Sequence, residues 1–439
     1  MLIINQQTLN DLVKLLSKFV ERKPGTLSGK YRSNPQIVHY YYNIIRYWNK
    51  INYILKRRLN STNKHLVSGS SDRAKCLIAI YRILWEKAST LKIVEELNLT
   101  KQLSNLLKNV EFFSWKQALK GKNEIERLSL ELAIPSFLIN KLLPIIGIKS
   151  IKENFEPSKI VEGGETLVFR TNDLWSGKSN QNSIDIILKD LEEDNISVKQ
   201  DIHFSGLYNT SLKEKKKIIL SKSYKEGKLV IQDKASFAVV HLLRPHPNEL
   251  ICDMCAAPGI KTSIIAQLSQ NQARIIANDF STPRLLSTRK ILRKLNVLNT
   301  NLMNSDGIKL PIRFTNFFDK ILLDAPCSGS GTFKSNPELK WRQNEGFLHQ
   351  NVVLQEKLLK NALKLLKPSG ILVYSTCSLY PEEGELQVLK FLNHFEPMEL
   401  PRWFSPSYKI DHQHIPGTGR LFPATHRTKG FFIAKFKKK

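Results

Sequence analysis

The second half of the chain alternates apolar runs with amphipathic segments, and this alternation constrains the fold more than any other feature. From residue 226 onward, runs such as "ELICDM", "ARIIAND", "FDKILLD" and "GILVYST" are separated by segments with helical periodicity. Short, fully apolar runs predict parallel strands, because crossover helices cover both faces of a parallel sheet. The pattern therefore predicts a doubly wound, mainly parallel α/β sheet over 226–439.

The first half has a different texture. Residues 1–130 show no strand pattern, and runs such as "LNDLVKLLSKFV" and "DRAKCLIAIYRILWEK" repeat apolar residues at helical spacing. Residues 131–225 combine an extended run, "TLVFRTN", with an amphipathic helix, "SIDIILKDLEED", which predicts a small α+β module. We therefore predict three domains, 1–130, 131–225 and 226–439, in a chain of 439 residues.

The charge of the chain indicates the class of its partner. The sequence has 67 Lys and Arg against 39 Asp and Glu, a net charge of +28, and residues 1–150 hold 25 of the basic and 10 of the acidic residues. Such an excess attracts polyanions, so nucleic acid is the predicted partner and the first third the predicted docking region. A solubilising charge excess without a ligand is the alternative. The run "KEKKK" at 213–217 fits either a solvated face or an RNA path.

Aromatic residues in the helical region raise the question of base stacking. They recur at helical spacing, which predicts core packing rather than stacking on bases. The residues concerned are Tyr40, Tyr41, Tyr42, Tyr47 and Trp48.

Cysteine usage indicates a reducing compartment. Five cysteines, an odd and sparse set, predict a cytoplasmic protein without a disulfide framework. Cys252 and Cys255 form a C-x-x-C pair, but a zinc site needs two more ligands and a redox site needs an exposed pair, so structural roles are predicted. Cys76 is predicted to be a buried helix residue.

No metal and no membrane contact are predicted. His412, His414 and His426 lie in a loop-rich segment and are interpreted as polar contacts rather than metal ligands. No apolar run approaches the ~20 residues of a membrane span.

The strand ends of the predicted sheet carry residues suited to a nucleoside. In a doubly wound sheet the ligand binds beyond the carboxyl ends of the strands. After the first strand, "DMCAAPGIKT" brings small residues and Gly259, which let the backbone approach a ligand. Asp279 ends the second strand and is suited either to accept both hydroxyls of a ribose or to cap a helix. Asp306, after the third strand, is suited either to an adenine amino group or to a turn.

Two cysteines follow the next two strands. Cys327 comes after the fourth strand and Cys377 ends the fifth, so a strand order of 3-2-1-4-5 would place both thiols at one cleft. Two thiols beside a nucleoside methyl donor suit methylation of cytosine at carbon-5. One thiolate adds to carbon-6 and activates the ring, and a second group is required when the proton leaves carbon-5.

These motifs, in this order, resemble those of the Sun-type RNA cytosine-5 methyltransferases, which include the bacterial rRNA enzyme RsmB. The resemblance covers nearly the whole chain and rests on "DMCAAPGIKT", "ANDFSTPRL", "NSDG", "LLDAPCSGSGTF", "NPELKWR", "LVYSTCSLYPEEGE" and "GFFIAKF". It implies a Rossmann-like, S-adenosylmethionine-dependent methyltransferase domain at 226–439. It also implies a NusB-like RNA-binding domain at 1–130 and an RNA-recognition-like module at 131–225.

The resemblance also implies residue roles. Cys377 is the expected nucleophile, Cys327 the residue needed for release, and Asp324 the group that holds or protonates the ring nitrogen. Two positions depart from the family pattern: Ile260 replaces a glycine and Gly384 an asparagine, and neither change removes a reacting group. The residues expected to bind S-adenosylmethionine are Cys255, Ala256, Ala257, Pro258, Gly259, Lys261, Asp279, Arg284, Asp306 and Asp324.

The sequence therefore predicts a monomeric, S-adenosylmethionine-dependent RNA cytosine-5 methyltransferase. rRNA is the favoured substrate and tRNA the alternative. A catalytically weak RNA-binding assembly factor is countered by the presence of both Cys327 and Cys377. A DNA methyltransferase is countered by the helical region and by Cys377 in the Thr-Cys motif, Thr376-Cys377, because the resemblance implies that DNA enzymes attack with the cysteine of a Pro-Cys motif instead. Trp341 and Arg342, in "NPELKWR", are expected to support the cleft or to touch RNA.

Overall fold

A computed structural model of the chain describes residues 4–21, 27, 31–59, 67, 69–156, 166–176 and 181–439. The chain divides into two compact units. Unit 1 comprises residues 1–141 and 333–342, and unit 2 comprises residues 142–332 and 343–439. The small α+β module and the large sheet lie together in unit 2. The division into three domains, with boundaries at residues 130 and 225, stays a prediction.

The described part of residues 4–141 contains helices and no strand, as the apolar periodicity predicts. Asparagine side chains cap several helices: Asn5 accepts from the backbone N of Thr8, and Asn34 accepts from that of Ile37. The helices are α1 (Gln6–Val20), α2 (Pro35–Arg46), α3 (Trp48–Arg58), α4 (Ser70–Trp85), α5 (Thr90–Glu96), α6 (Lys101–Leu107), α7 (Trp115–Leu119), α8 (Glu124–Leu132) and α9 (Ser136–Phe155), the last of which continues into unit 2.

The core of unit 1 forms around α4, whose residues Cys76 to Ile80 are all buried. Tyr40 and Tyr41 are also buried in this core, which confirms the interpretation of these rings as core residues. The segment 333–342 belongs to the same unit: the indole Nε1 of Trp341 donates a 2.7 Å hydrogen bond to the carbonyl O of Ile45. The structure therefore places Trp341 in the packing of the helical unit.

Unit 2 begins with a small antiparallel sheet of order β2-β3-β1-β4. Its elements are β1 (Thr166–Thr171), α10 (Gln181–Glu193), β2 (Lys199–Gln200), β3 (Leu207–Ser211), α11 (Lys215–Leu220), α12 (Lys222–Lys225) and β4 (Leu229–Ile231). The strand β4 lies beyond residue 225 and completes the small sheet.

The large sheet has the order β11-β12-β13-β9-β8-β5-β6-β7, and β10 pairs with β13. Its elements are α13 (Lys234–Leu243), β5 (Leu250–Asp253), α14 (Ile260–Leu268), β6 (Arg274–Asn278), α15 (Thr282–Lys294), β7 (Thr300–Met303), β8 (Phe318–Asp324), α16 (Glu345–Leu365), β9 (Leu366–Thr376), α17 (Glu385–Leu389), β10 (Phe395–Pro397), β11 (Ser405–Pro406), β12 (Thr418–Leu421), α18 (Pro423–His426) and β13 (Phe431–Lys438). The strands β5 to β9 are parallel, and their spatial order confirms the predicted 3-2-1-4-5 arrangement. The strand β13 closes the sheet antiparallel to β9.

The motif "FRTN" joins the small sheet to the helices of the large one. Arg170 is fully buried and donates to the hydroxyl of Ser263 at 2.7 Å, and it also bonds Gln267; both partners lie on α14. The amide of Asn172 donates to the carbonyl O of Leu295 at 3.2 Å, at the end of α15. A buried guanidinium and amide that are satisfied by these groups fix the small sheet against the two helices that follow β5 and β6.

Among the described residues, no single helix has the length and apolar character that crossing a membrane requires. The bent pair α8 and α9 meets the criterion jointly, by length and composition only.

Candidate active site

The carboxyl ends of three neighbouring strands bring polar residues to one edge of the large sheet. In the pairing of β5 with β8, Asp253 lies opposite Leu322, and in the pairing of β8 with β9, Asp324 lies opposite Ser375. Cys377 directly follows β9. The registers thus place two carboxylates and a thiol at the edge where a doubly wound sheet binds its ligand.

The two thiols meet at this edge. The Sγ atoms of Cys327 and Cys377 are 3.1 Å apart, within hydrogen-bond distance, and both residues are partly exposed. The backbone N of Gly331, in the loop after Cys327, donates a 2.9 Å bond to the carbonyl O of Cys377. The structure therefore confirms that both cysteines open onto one site, while their individual roles stay predictions.

A lysine pairs with a carboxylate beside the thiols. Lys261 Nζ is 2.5 Å from Asp324 Oδ2, and the hydroxyl of Ser375 donates to Asp324 Oδ1 at 2.7 Å. Burial opposes the charge of Lys261, but Asp324, Asp253 and Cys377 outweigh it and raise the pKa of Lys261. Lys261 is therefore a fixed cation at the Cys377 side of the site.

The loop after β5 and the end of β6 form a second group of predicted residues. Asp279 is buried, and its Oδ2 accepts a 3.2 Å bond from the backbone N of Ala257. Arg284 lies 3.3 Å from the same oxygen and donates to the carbonyl O of Ala257 at 2.6 Å. Asp279 Oδ1 also accepts from the backbone N of Ser281 at 3.0 Å, but Ser281 is itself the N-cap residue of α15, which has no side-chain cap bond, so a capping role of Asp279 stays a prediction.

Gly259 is the N-cap residue of α14, and both its backbone conformation and its neighbours require a glycine there. Its φ of 93° lies in the left-handed region, and a Cβ atom there would lie 2.7 Å from Cγ2 of Thr288. Gly259 therefore lies against α15 with no room for a side chain.

Asp306 belongs neither to the residues around the thiols nor to those around Asp279. Its side chain is exposed and accepts a 2.9 Å bond from the backbone N of Ile308, so it begins the short turn at 307–309. The turn interpretation is confirmed, and a contact with adenine stays a prediction.

Comparison with known proteins identifies the family. Residues 240–437 match the model of the family described as 16S rRNA methyltransferase RsmB/F. The tRNA (cytosine(49)-C(5))-methyltransferase of Pyrococcus abyssi is 35% identical over 228 residues, which cover 49% of this chain and 72% of that protein. The chain belongs to the RsmB/F family.

Two other known proteins match longer parts of the chain. The probable ribosomal RNA small subunit methyltransferase B of Synechocystis sp. is 34% identical over 276 residues, 59% of this chain and 61% of that protein. The crystal structure of PH0851 has a TM-score of 0.79 and 26% identity, and the match covers 100% of both chains. The chain spans 39% to 61% of the length of the first three curated relatives.

Sequence reasoning missed Asp253, the last residue of β5. Burial raises the pKa of Asp253 to about 7, although the hydrogen bond from Thr262 and the charge of Lys261 oppose the shift. Its Oδ2 accepts from the Thr262 hydroxyl at 2.7 Å, whereas the buried Oδ1 has no hydrogen-bond partner. The sequence does contain a signal for this site, because Asp253 is the charged residue that ends the apolar run of β5.

A second missed residue is Glu383, in the turn after Cys377. It is fully buried and accepts a 2.8 Å bond from the backbone N of Ser328, next to Cys327. The sequence "YPEEGE" gives no sign of this burial, because glutamates in a turn ordinarily face solvent.

The family departure at Gly384 has a local cause in this chain. A Cβ atom at Gly384 would lie 2.8 Å from Cγ of Phe432 and 3.0 Å from Nη2 of Arg420. Both side chains are fully buried, and Arg420 pairs with Glu385 at 2.5 Å. A larger residue at position 384 would therefore displace the core beneath the Thr-Cys strand. Ile260 is half-buried at the start of α14.

The remaining cysteine and histidine predictions concern local structure. Cys76 and Cys252 are buried, as predicted, and burial raises the pKa of Cys76 to about 12. His414 and His426 make polar contacts, with the carbonyl O of Ser407 at 2.5 Å and the backbone N of Phe422 at 2.8 Å. In the part of the chain that the structure describes, no three His, Cys, Asp or Glu side chains are grouped to hold a metal ion.

Proposed function

We propose that this chain transfers a methyl group from S-adenosylmethionine to carbon-5 of cytosine in RNA, with rRNA as the favoured substrate. The observation that carries the proposal is the pair of thiols 3.1 Å apart at the ends of adjacent strands, beside the ion pair of Lys261 and Asp324. A nucleophile, a second thiol and a cation next to a carboxylate are the groups that this reaction needs.

The residues at the strand ends fit the cofactor. When bound, S-adenosylmethionine supplies a sulfonium methyl group. Asp279 would accept the ribose hydroxyls, and Phe280, which is 70% exposed, would offer its ring to the adenine. The unpartnered Oδ1 of Asp253 is an acceptor suited to the amino group of the methionine part.

The protein groups divide the reaction between them. The Cys377 thiolate would form a bond to carbon-6, which makes carbon-5 an enamine carbon that takes the methyl group. The proton that leaves the Cys377 thiol would pass to Asp324, which Lys261 and Ser375 hold in place, and from Asp324 to the ring nitrogen. A base then removes the proton from carbon-5, the sulfur–carbon bond breaks, and Cys327 is the residue required for this release.

The choice of rRNA over tRNA follows the relatives. The family model is described as a 16S rRNA methyltransferase, and the Synechocystis relative is named for the ribosomal small subunit. The Pyrococcus abyssi relative, which is named for tRNA, favours tRNA as the second candidate.

Bisulfite sequencing tests the function. Host rRNA and tRNA are sequenced with the intact gene, with a deletion, and with the deletion complemented by the Cys377→Ala variant. We expect one or a few cytosines of rRNA to lose protection in the deletion and in the Cys377→Ala strain. Loss of protection in tRNA alone would select the second candidate, and no change in either RNA would contradict the function.

We further propose that the helical unit, NusB-like in its role, docks RNA through one surface. Three rings cluster there: Tyr53 and Trp115 stack at 6.4 Å, and Phe113 meets Trp115 edge to face at 5.0 Å. The adjacent Phe112 is 78% exposed. Rings of this kind stack on unpaired bases regardless of their sequence.

Cations surround these rings. Lys50 Nζ lies 5.1 Å from the centre of Trp115, Lys122 Nζ lies 5.0 Å from that of Tyr53, and Arg57 also lies over Tyr53, at 6.0 Å. The segments 48–58 and 108–122 together hold eight Lys and Arg against one glutamate. We call these two segments the aromatic–basic surface, and its charge complements a phosphate backbone.

Neutralising three exposed charges tests this surface. We expect the triple variant Arg57→Gln, Lys116→Gln, Lys120→Gln to weaken binding of single-stranded RNA and to reduce the slope of log affinity against log salt by up to about 2. The matched control is Lys357→Gln, Lys360→Gln, Lys364→Gln, which removes the same charge from exposed residues of α16 in unit 2. Equal effects of the two triple variants would contradict a dedicated surface.

A cytoplasmic location and a monomeric state stay predictions of the sequence. Cell fractionation and light scattering test them.

A further inference from the structure

One buried carboxylate joins the two loops that carry the thiols. Glu383 is 0% exposed and lies in the turn after Cys377. Its Oε1 accepts a 2.8 Å hydrogen bond from the backbone N of Ser328, and its Oε2 accepts from the hydroxyl of the same residue. Because Ser328 follows Cys327 directly, the carboxylate fixes the backbone next to that thiol.

Helix α16 anchors the other side of Cys327. The amide Nε2 of Gln355 donates to Glu383 Oε1 at 3.0 Å and to the carbonyl O of Pro326 at 2.8 Å. Gln355 thus holds the residue before Cys327, and Glu383 holds the residue after it. Both side chains are 0% exposed, and hydrogen bonds to a charged group are stronger where water is excluded.

The backbone of Glu383 contacts the strand β9, which ends just before the second thiol. Its carbonyl O accepts from the hydroxyl of Tyr374 at 2.8 Å and from that of Thr376 at 3.2 Å. Thr376 directly precedes Cys377. Glu383 therefore contacts the chain on both sides of the 3.1 Å thiol pair.

We propose that Glu383 is a positioning residue that holds the Cys327 thiol against Cys377 and places a fixed negative charge beside Cys327. This inference rests on the proposed methyltransferase function, and it assigns Glu383 no contact with the reacting atoms. It also distinguishes two thiols that are chemically identical.

The charge of Glu383 acts on Cys327. The hydrogen bond with Cys377 and burial raise the pKa of Cys327, and the carboxylate of Glu383 adds to this shift. Burial raises the pKa of Glu383 itself, whereas its hydrogen bonds from Ser328 and Gln355 favour the ionised form. A raised thiol pKa keeps Cys327 from competing with Cys377 for the cytosine ring. The titratable or charged groups around Glu383 are Cys327, Tyr374, Tyr380, Glu382, Glu385 and Arg420.

Thiol alkylation tests the charge without RNA or cofactor. The variant Glu383→Gln removes the charge but keeps an oxygen that accepts the Ser328 N–H bond. In the full chain carrying Cys377→Ser, iodoacetamide labelling of Cys327 is followed against pH by mass spectrometry. We expect Glu383→Gln to lower the midpoint of labelling by about one pH unit. The matched control Glu382→Gln makes the same charge change one residue away and should leave the midpoint in place.

The release step tests the positioning. With RNA and cofactor, Glu383→Ala is expected to accumulate the covalent RNA–protein adduct at least about tenfold over the wild type. Glu383→Gln should restore most of the release, because its amide oxygen still holds Ser328. Cofactor binding reports whether each variant is folded.

Three outcomes would overturn the inference: an unchanged labelling midpoint in Glu383→Gln, wild-type release in Glu383→Ala, or loss of cofactor binding in both variants. The last would make Glu383 a packing residue. Methylation by the wild type, measured in parallel, reports on the proposed function separately, so failure of one is distinguishable from failure of the other.

Discussion

The loops around Cys327 and Cys377 carry the same thiol at the ends of neighbouring strands, but their charged neighbours have opposite sign. Cys327 lies beside the buried carboxylate of Glu383, which bonds the next residue of the loop. Cys377 instead interacts electrostatically with Lys261, a cation that is paired with Asp324. A negative neighbour disfavours a thiolate and a positive neighbour favours one.

This difference teaches that residue type alone does not decide which cysteine attacks. The carboxylate of Glu383 disfavours the thiolate form of Cys327, whereas the cation Lys261 lies on the Cys377 side of the site. Changing the charge or the packing on one side at a time tests this difference.

The largest effect is expected from Lys261→Met, which removes the cation from the Cys377 side. We expect methyl transfer to fall roughly 100- to 1000-fold, because a fixed charge at a buried reacting group is lost. Single-turnover transfer at saturating cofactor measures the effect. Lys360→Met, on the exposed face of α16, removes a lysine away from the site and should change little. A loss of less than about tenfold in Lys261→Met would break the comparison.

The second prediction concerns Asp253, the buried carboxyl group at the end of β5, which interacts electrostatically with Lys261. Burial raises the pKa of Asp253 from 3.8 to about 7, so its protonated form is favoured in the folded state. The stability that this favoured proton contributes is complete below about pH 4 and is lost as the pH rises through about 7. The Asp253→Asn variant has no carboxyl group to ionise at this position. The difference between its melting temperature and that of the wild type should therefore increase as the pH rises from about 4 to 7. A difference in melting temperature that is constant with pH would show that Asp253 is ionised throughout.

The third prediction separates the cofactor residues from the thiols. Asp279→Ala is expected to weaken S-adenosylmethionine binding by several-fold to a hundredfold, since a charge-assisted hydrogen bond contributes about 1.5–3 kcal/mol. Calorimetric titration measures it, and alkylation of Cys327 and Cys377 should be unaffected. Normal affinity in a folded variant would leave Asp279 with only its structural hydrogen bonds from Ala257 and Ser281.

The fourth prediction concerns packing beside Glu383. Gly384→Asn introduces the residue common in the family, and its Cβ would overlap Phe432, so the free energy of unfolding should fall by about 1–3 kcal/mol. Urea denaturation followed by fluorescence measures the change. The penalty should shrink when Phe432→Leu is present, and equal penalties in both backgrounds would place the strain elsewhere.

The sequence predicts the strand order and the thiol pair because both follow from local signals. Four of the five parallel strands contain an apolar run, and each cysteine comes within three residues of the end of such a strand, so the topology brings Cys327 and Cys377 together.

The parts that the sequence does not predict depend on contacts between distant residues. Glu383 is buried because Ser328 and Gln355, 55 and 28 positions away, supply its donors. Trp341 was expected at the cleft or at RNA, but it packs in the helical unit because Ile45, 296 positions away, accepts its indole N–H. No period or motif encodes such pairings.

The central claim is that Cys377 attacks and Cys327 enables release, and trapping of the RNA adduct tests it most directly. The wild type, Cys377→Ala, Cys327→Ala and the double variant are incubated with RNA and S-adenosylmethionine and separated under denaturing conditions. We expect a stable RNA–protein band in Cys327→Ala alone, dependent on the cofactor, and neither adduct nor methyl product in Cys377→Ala. An adduct in Cys377→Ala, with none in Cys327→Ala, would reverse the roles and contradict the account.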